Sequence, residues 1–168
     1  MVNQLRHWLR KSVILLVLPV SAILLMDAWR APQIPSDFSR VAVQTLDGES
    51  VTLASLSEER PLLLYIWASW CGVCRFTTPE VAALSARGEN VMTIAYRSGS
   101  SDEVRRKLAL RRNRFPVIND ADGTISRLWR IRVTPTFVVI SKGRVISTTS
   151  GWTSSWGIKL RLWWATIV

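Results

Sequence analysis

Both cysteines of the chain stand in one short stretch, Trp67-Ala68-Ser69-Trp70-Cys71-Gly72-Val73-Cys74. It follows the apolar run Leu62–Ile66 and opens a segment with helical periodicity. A strand that delivers a thiol to the first turn of a helix changes that thiol's chemistry. Unpaired backbone N–H groups and the helix dipole favour negative charge there, so Cys71 is expected to ionise more readily than a free cysteine. Cys74 lies one helical turn on, within reach of a disulfide with Cys71. Trp70, Gly72 and Val73 would frame an exposed Cys71 sulfur, with Cys74 more shielded. The pair reads as a redox switch.

Other chemistries compete for two thiols at this spacing. A zinc site takes about four ligands, and the single histidine, His7, is remote and beside a hydrophobic run. A c-type haem needs histidine directly after the second cysteine, where this chain has Arg75. A purely structural bridge closing so short a loop restrains the unfolded chain little. Capture of Cu(I) by two thiolates stays open, since soft ions suit soft ligands.

The elements needed to hold such a site can be read outward from it. Pro61 to Trp67 has the continuous apolar character of a strand buried on both faces. The helix after Cys71 runs to about Ala86 and is expected to bend at Pro79, which removes a backbone donor. Glu80 on that helix is a candidate for handling protons, against the plainer reading of an exposed helix residue. Val91 to Tyr96 reads as the next strand. Ser100 and Glu103 form a capping-box pattern opening a helix to about Arg112. Its Arg105, Arg106, Lys107, Arg111 and Arg112 leave only a narrow Val104/Leu108 side apolar, so they are expected to be solvated.

Further along, Phe115 to Asn119 reads as a strand, Asp120 to Gly123 as a turn, and Thr124 to Arg130 as a short helix. A hairpin is expected from Phe137–Ile140 and Arg144–Thr149 around Lys142-Gly143. Trp156, Leu160, Trp163, Trp164 and Ile167 fall on one helical face, expected to pack on the sheet as core. Upstream, Arg40 to Leu53 alternates around Asp47-Gly48 like a second hairpin.

The N-terminal quarter has a different character. Residues 1–11 are short and basic, and 12–29 are apolar apart from isolated positions. As a helix that run would be about 27 Å long, against a hydrocarbon core of roughly 30 Å. Trp8 and Trp29 sit like interfacial anchors, and no small-residue cleavage site follows. An uncleaved transmembrane anchor is expected, with its basic end cytoplasmic. Residues 30–39, with Pro32 and Pro35, form a linker to a single domain at 40–168. The net charge of +10 could serve nucleic acid, anionic lipid or solubility; for a domain outside the cytosol, nucleic acid is not expected.

Trp67 to Cys74, Pro79 five residues past the second cysteine, and Val133-Thr134-Pro135-Thr136-Phe137 together resemble thioredoxin. With the anchor, the chain resembles more closely the membrane-tethered periplasmic TlpA, ResA and CcmG (DsbE) family, its copper-sensitivity suppressors included. The resemblance spans about Arg40 to Val168. It implies a thioredoxin-like α/β fold, a central mixed sheet flanked by helices, with an added N-terminal hairpin. It implies a cis Thr134-Pro135 bond facing the cysteines, where Thr134 could pair with an extended substrate. It implies protein disulfide exchange through Cys71 and Cys74 with no cofactor beyond the cysteine pair and no metal. Substrates would be periplasmic proteins and the electron donor a membrane thiol transporter of the DsbD type, at the bacterial inner membrane. Reductase is the expected direction, with oxidase or isomerase and a Cu(I)-binding role as alternatives. Two departures from the pattern stand out. Tyr65 occupies the place of thioredoxin's buried aspartate, and Thr77 that of a second acidic position in many anchored relatives.

Overall fold

The computed structural model describes residues 37–168 continuously, together with 32–35 and separate positions between 8 and 29. The anchor expected over 12–29 and the basic terminus with His7 lie, as segments, outside the described residues. Among the described residues no helix is long and apolar enough to cross a membrane.

One strand carries the architecture. β3 (Leu62–Trp67) is buried along its whole length, as its unbroken apolar character requires. It pairs in parallel with β4 (Val91–Tyr96) and antiparallel with β6 (Thr136–Ser141). β5 (Val117–Asp120) and β7 (Arg144–Ser150) complete a mixed sheet in the order β5-β4-β3-β6-β7. The β6–β7 turn is made by Lys142 (φ 50°) and Gly143 (φ 71°), left-handed angles that suit a two-residue hairpin.

Alternation along β3 sends its side chains into two cores. Leu63, Tyr65 and Trp67 meet Val81 and Leu84 of α2 (Cys74–Ala86), Val104 of α3 (Ser101–Leu110), and Ile158, Leu162 and Ala165 of α5 (Ser155–Ile167). Leu62, Leu64 and Ile66 meet Phe38, Leu53 of α1 (Leu53–Leu56) and Trp129, which follows α4 (Thr124–Leu128). Phe38 and Trp129 pack edge-on with ring centroids 5.4 Å apart.

Upstream, β1 (Val43–Gln44) and β2 (Ser50–Val51) pair antiparallel, Val43 opposite Val51. The alternation stops short of Leu53, which instead opens α1 because the Thr52 hydroxyl accepts the Ser55 N–H at 3.1 Å. Leu46 N–H donates to the Val117 carbonyl at 2.7 Å, so this segment lies along the edge of β5. β5 itself runs from Val117 to Asp120, starting two residues later and ending one residue later than the Phe115–Asn119 expected from the apolar pattern. Pro79 sits inside α2 and the helix continues past it to Ala86.

The largest correction concerns α5. Trp156, Leu160, Trp163, Trp164 and Ile167, expected in the core, are all exposed, while Ile158, Leu162 and Ala165 pack inward. The helix carries two apolar stripes. The narrower aliphatic one seats against the sheet and the bulky indoles stay outside.

α3 starts on the expected capping box. Ser100 Oγ accepts the Glu103 N–H at 3.3 Å, and the Glu103 carboxylate accepts the Ser100 N–H at 2.7 Å. That backbone hydrogen bond, with the Ser100 hydroxyl, holds the Glu103 carboxyl below its ordinary value. A depressed folded-state value stabilises the fold above the usual glutamate range, and the gain is lost as pH falls through the depressed value. Ser100→Ala is expected to cost about 1 kcal/mol, and Glu103→Gln to flatten this acid limb in urea melts compared from pH 6 to pH 3.

Candidate active site

Cys71 and Cys74 are joined in a disulfide with Cα atoms 5.3 Å apart. The helix begins at Cys74, so Cys71 stands ahead of its first turn instead of inside it. Cys71 Sγ nonetheless accepts the Cys74 N–H at 3.2 Å, taking one of the donors that a helix start leaves open. A thiolate at that sulfur would receive the same hydrogen bond and the positive end of the dipole. Cys71 is 7% exposed and Cys74 2%. The order expected from the motif holds, but in the oxidised pair the first sulfur is recessed.

Thr134-Pro135 is cis and lies across from the pair. The Thr134 carbonyl oxygen is 3.4 Å from Cys71 Sγ, and Pro135 is buried beside it. The Pro135 carbonyl accepts the Gly151 N–H at 2.8 Å, tying the loop to the end of β7. Trp70 is 60% exposed, its indole N–H donating to the Arg97 carbonyl at 3.1 Å and its ring edge-on to Tyr96. Val73 is exposed at the mouth, and a Cβ at Gly72 would meet nothing within 4 Å. Glu80 is exposed on α2. Six residues past Cys74, it points about 120° away from it around the helix, and the structure does not bring it to the sulfurs.

The two positions that depart from the thioredoxin pattern meet. Tyr65 is fully buried, and its hydroxyl is hydrogen-bonded to Thr77 Oγ1 at 2.9 Å and Thr78 Oγ1 at 2.8 Å. Thr77 and Thr78 are buried one turn beyond Cys74 on α2. Burial raises the Tyr65 pKa above its ordinary value, against the smaller opposing effect of the threonine hydrogen bonds. The floor of the site is a trio of neutral hydroxyls.

The structure adds residues that motif reading passed over. Phe76, in the first turn of α2, is exposed. Lys107 belongs to a helix read as solvated, yet its Nζ donates to Ser69 Oγ at 3.1 Å and to the Ser98 carbonyl at 3.0 Å. Ser98 Oγ in turn accepts the Ser69 N–H at 2.9 Å. These bonds pin the loop carrying the cysteines to the end of β4. No spacing rule links Lys107 to Ser69, which are brought together only because β3 and β4 pair in parallel, setting the loop after β3 beside the helix that follows β4. Among the described residues, no three His, Cys, Asp or Glu side chains gather to hold a metal ion.

A disulfide-bonded cysteine pair at a helix start, on a five-stranded mixed sheet and facing a cis-proline loop, defines a thioredoxin-like disulfide oxidoreductase. The chain belongs to the AhpC/TSA family, whose profile matches residues 34–149. A thioredoxin-like protein of Haemophilus influenzae is 38% identical over 154 residues, 92% of this chain and 91% of that one. The thiol:disulfide interchange protein DsbE of Yersinia pestis is 31% identical over 78 residues, 46% of this chain and 42% of its own length. A solved Mycobacterium tuberculosis secreted disulfide oxidoreductase homologous to E. coli DsbE shares the fold. It has a TM-score of 0.64 at 22% identity, covering 80% of this chain and all of that one. Oxidoreductases of this kind work through the cysteine pair without a further cofactor.

Proposed function

We propose that this chain is a membrane-tethered reductase of protein disulfides acting on the periplasmic side of a bacterial inner membrane. The observation that carries the reading is the Cys71–Cys74 disulfide at the opening of α2, with the Thr134 carbonyl 3.4 Å from Cys71 Sγ. In the reduced enzyme the Cys71 thiolate attacks one sulfur of a substrate disulfide, and the other substrate sulfur leaves as a thiolate. The mixed disulfide is then attacked at Cys71 Sγ by Cys74. The second substrate thiolate departs and the Cys71–Cys74 bond forms, two electrons having passed to the substrate. Glu80 is exposed and the Tyr65 and Thr77 hydroxyls are engaged with each other, so we assign the Cys74 proton to the substrate thiolate released first.

Substrates are protein thiols and disulfides, by analogy with the DsbE relatives. An extended segment would lie along the Thr134 backbone as an added strand, between Trp70 and Val73. Recharging would come from a membrane thiol transporter of the DsbD type. The tether is the apolar run at 12–29, and the resemblance to the copper-sensitivity suppressor ScsD and to the CcmG (DsbE) proteins suggests substrates connected with copper tolerance or cytochrome c maturation.

Equilibration with glutathione tests the direction. A reduction potential well below about −200 mV fits the reductase, whereas one near the −120 mV of DsbA-type oxidants overturns it.

A further inference from the structure

The outward stripe of α5 takes no part in thiol chemistry. Trp156, Leu160, Trp163, Trp164 and Ile167 are between 56% (Trp164) and 82% (Trp156) exposed. At about 100° per residue they span roughly 80–100° of the helix circumference, opposite the packed Ile158/Ala165/Leu162 side. Three indoles with two aliphatic side chains exceed the scattered apolar exposure normal for a soluble surface. Lys159 borders the stripe on one edge and Arg161 on the other. Every charged side chain after Asp122 is basic.

We infer that α5 lies flat on a lipid surface bearing anionic headgroups. Tryptophan is the side chain most at home at headgroup depth, its ring among acyl chains and its N–H in the hydrated layer. A helix with an aromatic stripe between cationic borders is the form that interfacial helices take. The stripe is convex and not a groove, which suits a deformable surface. A second copy fits poorly: a two-fold contact would set Lys159 and Arg161 against their own kind, with no acidic side chain on the helix to offset them.

The orientation has a use. α5 starts just after Gly151, which is bonded to Pro135 beside the disulfide. Its later turns line a cleft with Arg60, Pro61, Glu89 and Asn90 at the far end of β3. A flat α5 therefore lays β3 along the membrane plane and turns the disulfide sideways. There a membrane-embedded donor could reach it.

The test uses the full chain in nanodiscs containing lipid brominated near the headgroup. The emission lost in the variant Trp156→Gln/Trp163→Gln/Trp164→Gln is that of the stripe. That difference emission is expected to be blue-shifted and quenched in phosphatidylglycerol discs and much less quenched in phosphatidylcholine discs. Lys159→Gln/Arg161→Gln is expected to weaken the docking about fivefold per cation removed. Difference emission that bromine does not quench overturns the inference. It does so whether the emission is red-shifted, as in water, or blue-shifted with a doubled mass, as in a dimer. Quenching indifferent to lipid charge overturns the anionic surface. Both variants should melt with the wild type, since the replaced side chains face outward, and a large fall in Tm would place the stripe in the core and sink the idea. Flotation of the chain with the discs reports the tether at 12–29 separately, so failure of the tether and failure of the docking leave different records.

Discussion

Cys74→Ser is expected to halt turnover at the mixed disulfide, leaving covalent adducts between Cys71 and its substrates. They should be recoverable on non-reducing gels from cells and absent after reduction. Insulin-disulfide reduction should fall below about 1% of wild type, because the step that releases Cys71 needs a second thiolate as nucleophile. Cys71→Ser should be equally inactive for a different reason and should trap almost nothing. Cys74 is 2% exposed and sits inside the first turn of α2, where a bulky substrate disulfide cannot approach it. Trapping by both variants alike, or by neither, would remove the assignment of attacking and resolving sulfurs.

The second large effect is on stability and lies away from the cysteines. Asp120 closes β5 as a 2% exposed carboxylate, and its oxygens accept the Ile125 N–H at 3.0 Å and the Ser126 N–H at 2.9 Å. These are open donors of the short helix α4, which brings Ile125 and the following Trp129 onto the second core. Asp120→Ala strips both donors of their acceptor in a buried place. Charge-assisted bonds of this kind are worth about 1.5–3 kcal/mol each. A loss of about 3 kcal/mol is expected, or about 6–12 °C in Tm for a domain of this size. Asp120→Asn keeps one acceptor oxygen and should fall between. Urea unfolding measures both, and a loss below about 0.5 kcal/mol for the alanine variant would mean that the cap contributes nothing.

Asp120 also marks where reading the chain ran out. Asp120-Ala121-Asp122-Gly123 looks like an ordinary polar turn, and a turn aspartate is ordinarily solvated. Only the packing of α4 against β5 shows that one of the two acids is interior. The sheet was legible because β3, β4 and β6 are short apolar runs with no other use for their residues. The redox pair was legible because its spacing admits few chemistries. The capping box at Ser100 and Glu103 was legible for a similar reason, being a local bond pattern written in adjacent residues. Thr52 capping α1 belongs to the same class, but the alternation through Leu53 concealed it.

α5 failed for a subtler reason. Periodicity reports that a helix has an apolar face, and here Ile158, Leu162 and Ala165 form one while Trp156, Leu160 and Trp163 form another. The second carries the larger apolar side chains and so dominates the pattern. Packing against β6 favours the first, whose smaller side chains allow a closer approach to the sheet. Lys107 failed because helical spacing describes where a side chain starts and not how far it reaches.

The hydroxyl trio under Cys74 has a bearing on the conditions in which the enzyme can work. A buried carboxylate there would gain and lose charge as the medium acidified, and each change would disturb the neighbouring couple. Tyr65, Thr77 and Thr78 offer nothing that ionises at ordinary acidity, and the phenol is pushed further into the alkaline range by its enclosure. The sulfurs thus rest on insulation instead of a proton reservoir. In a compartment open to the outside world, such an exchanger would hold its rank among competing dithiols through swings in external acidity.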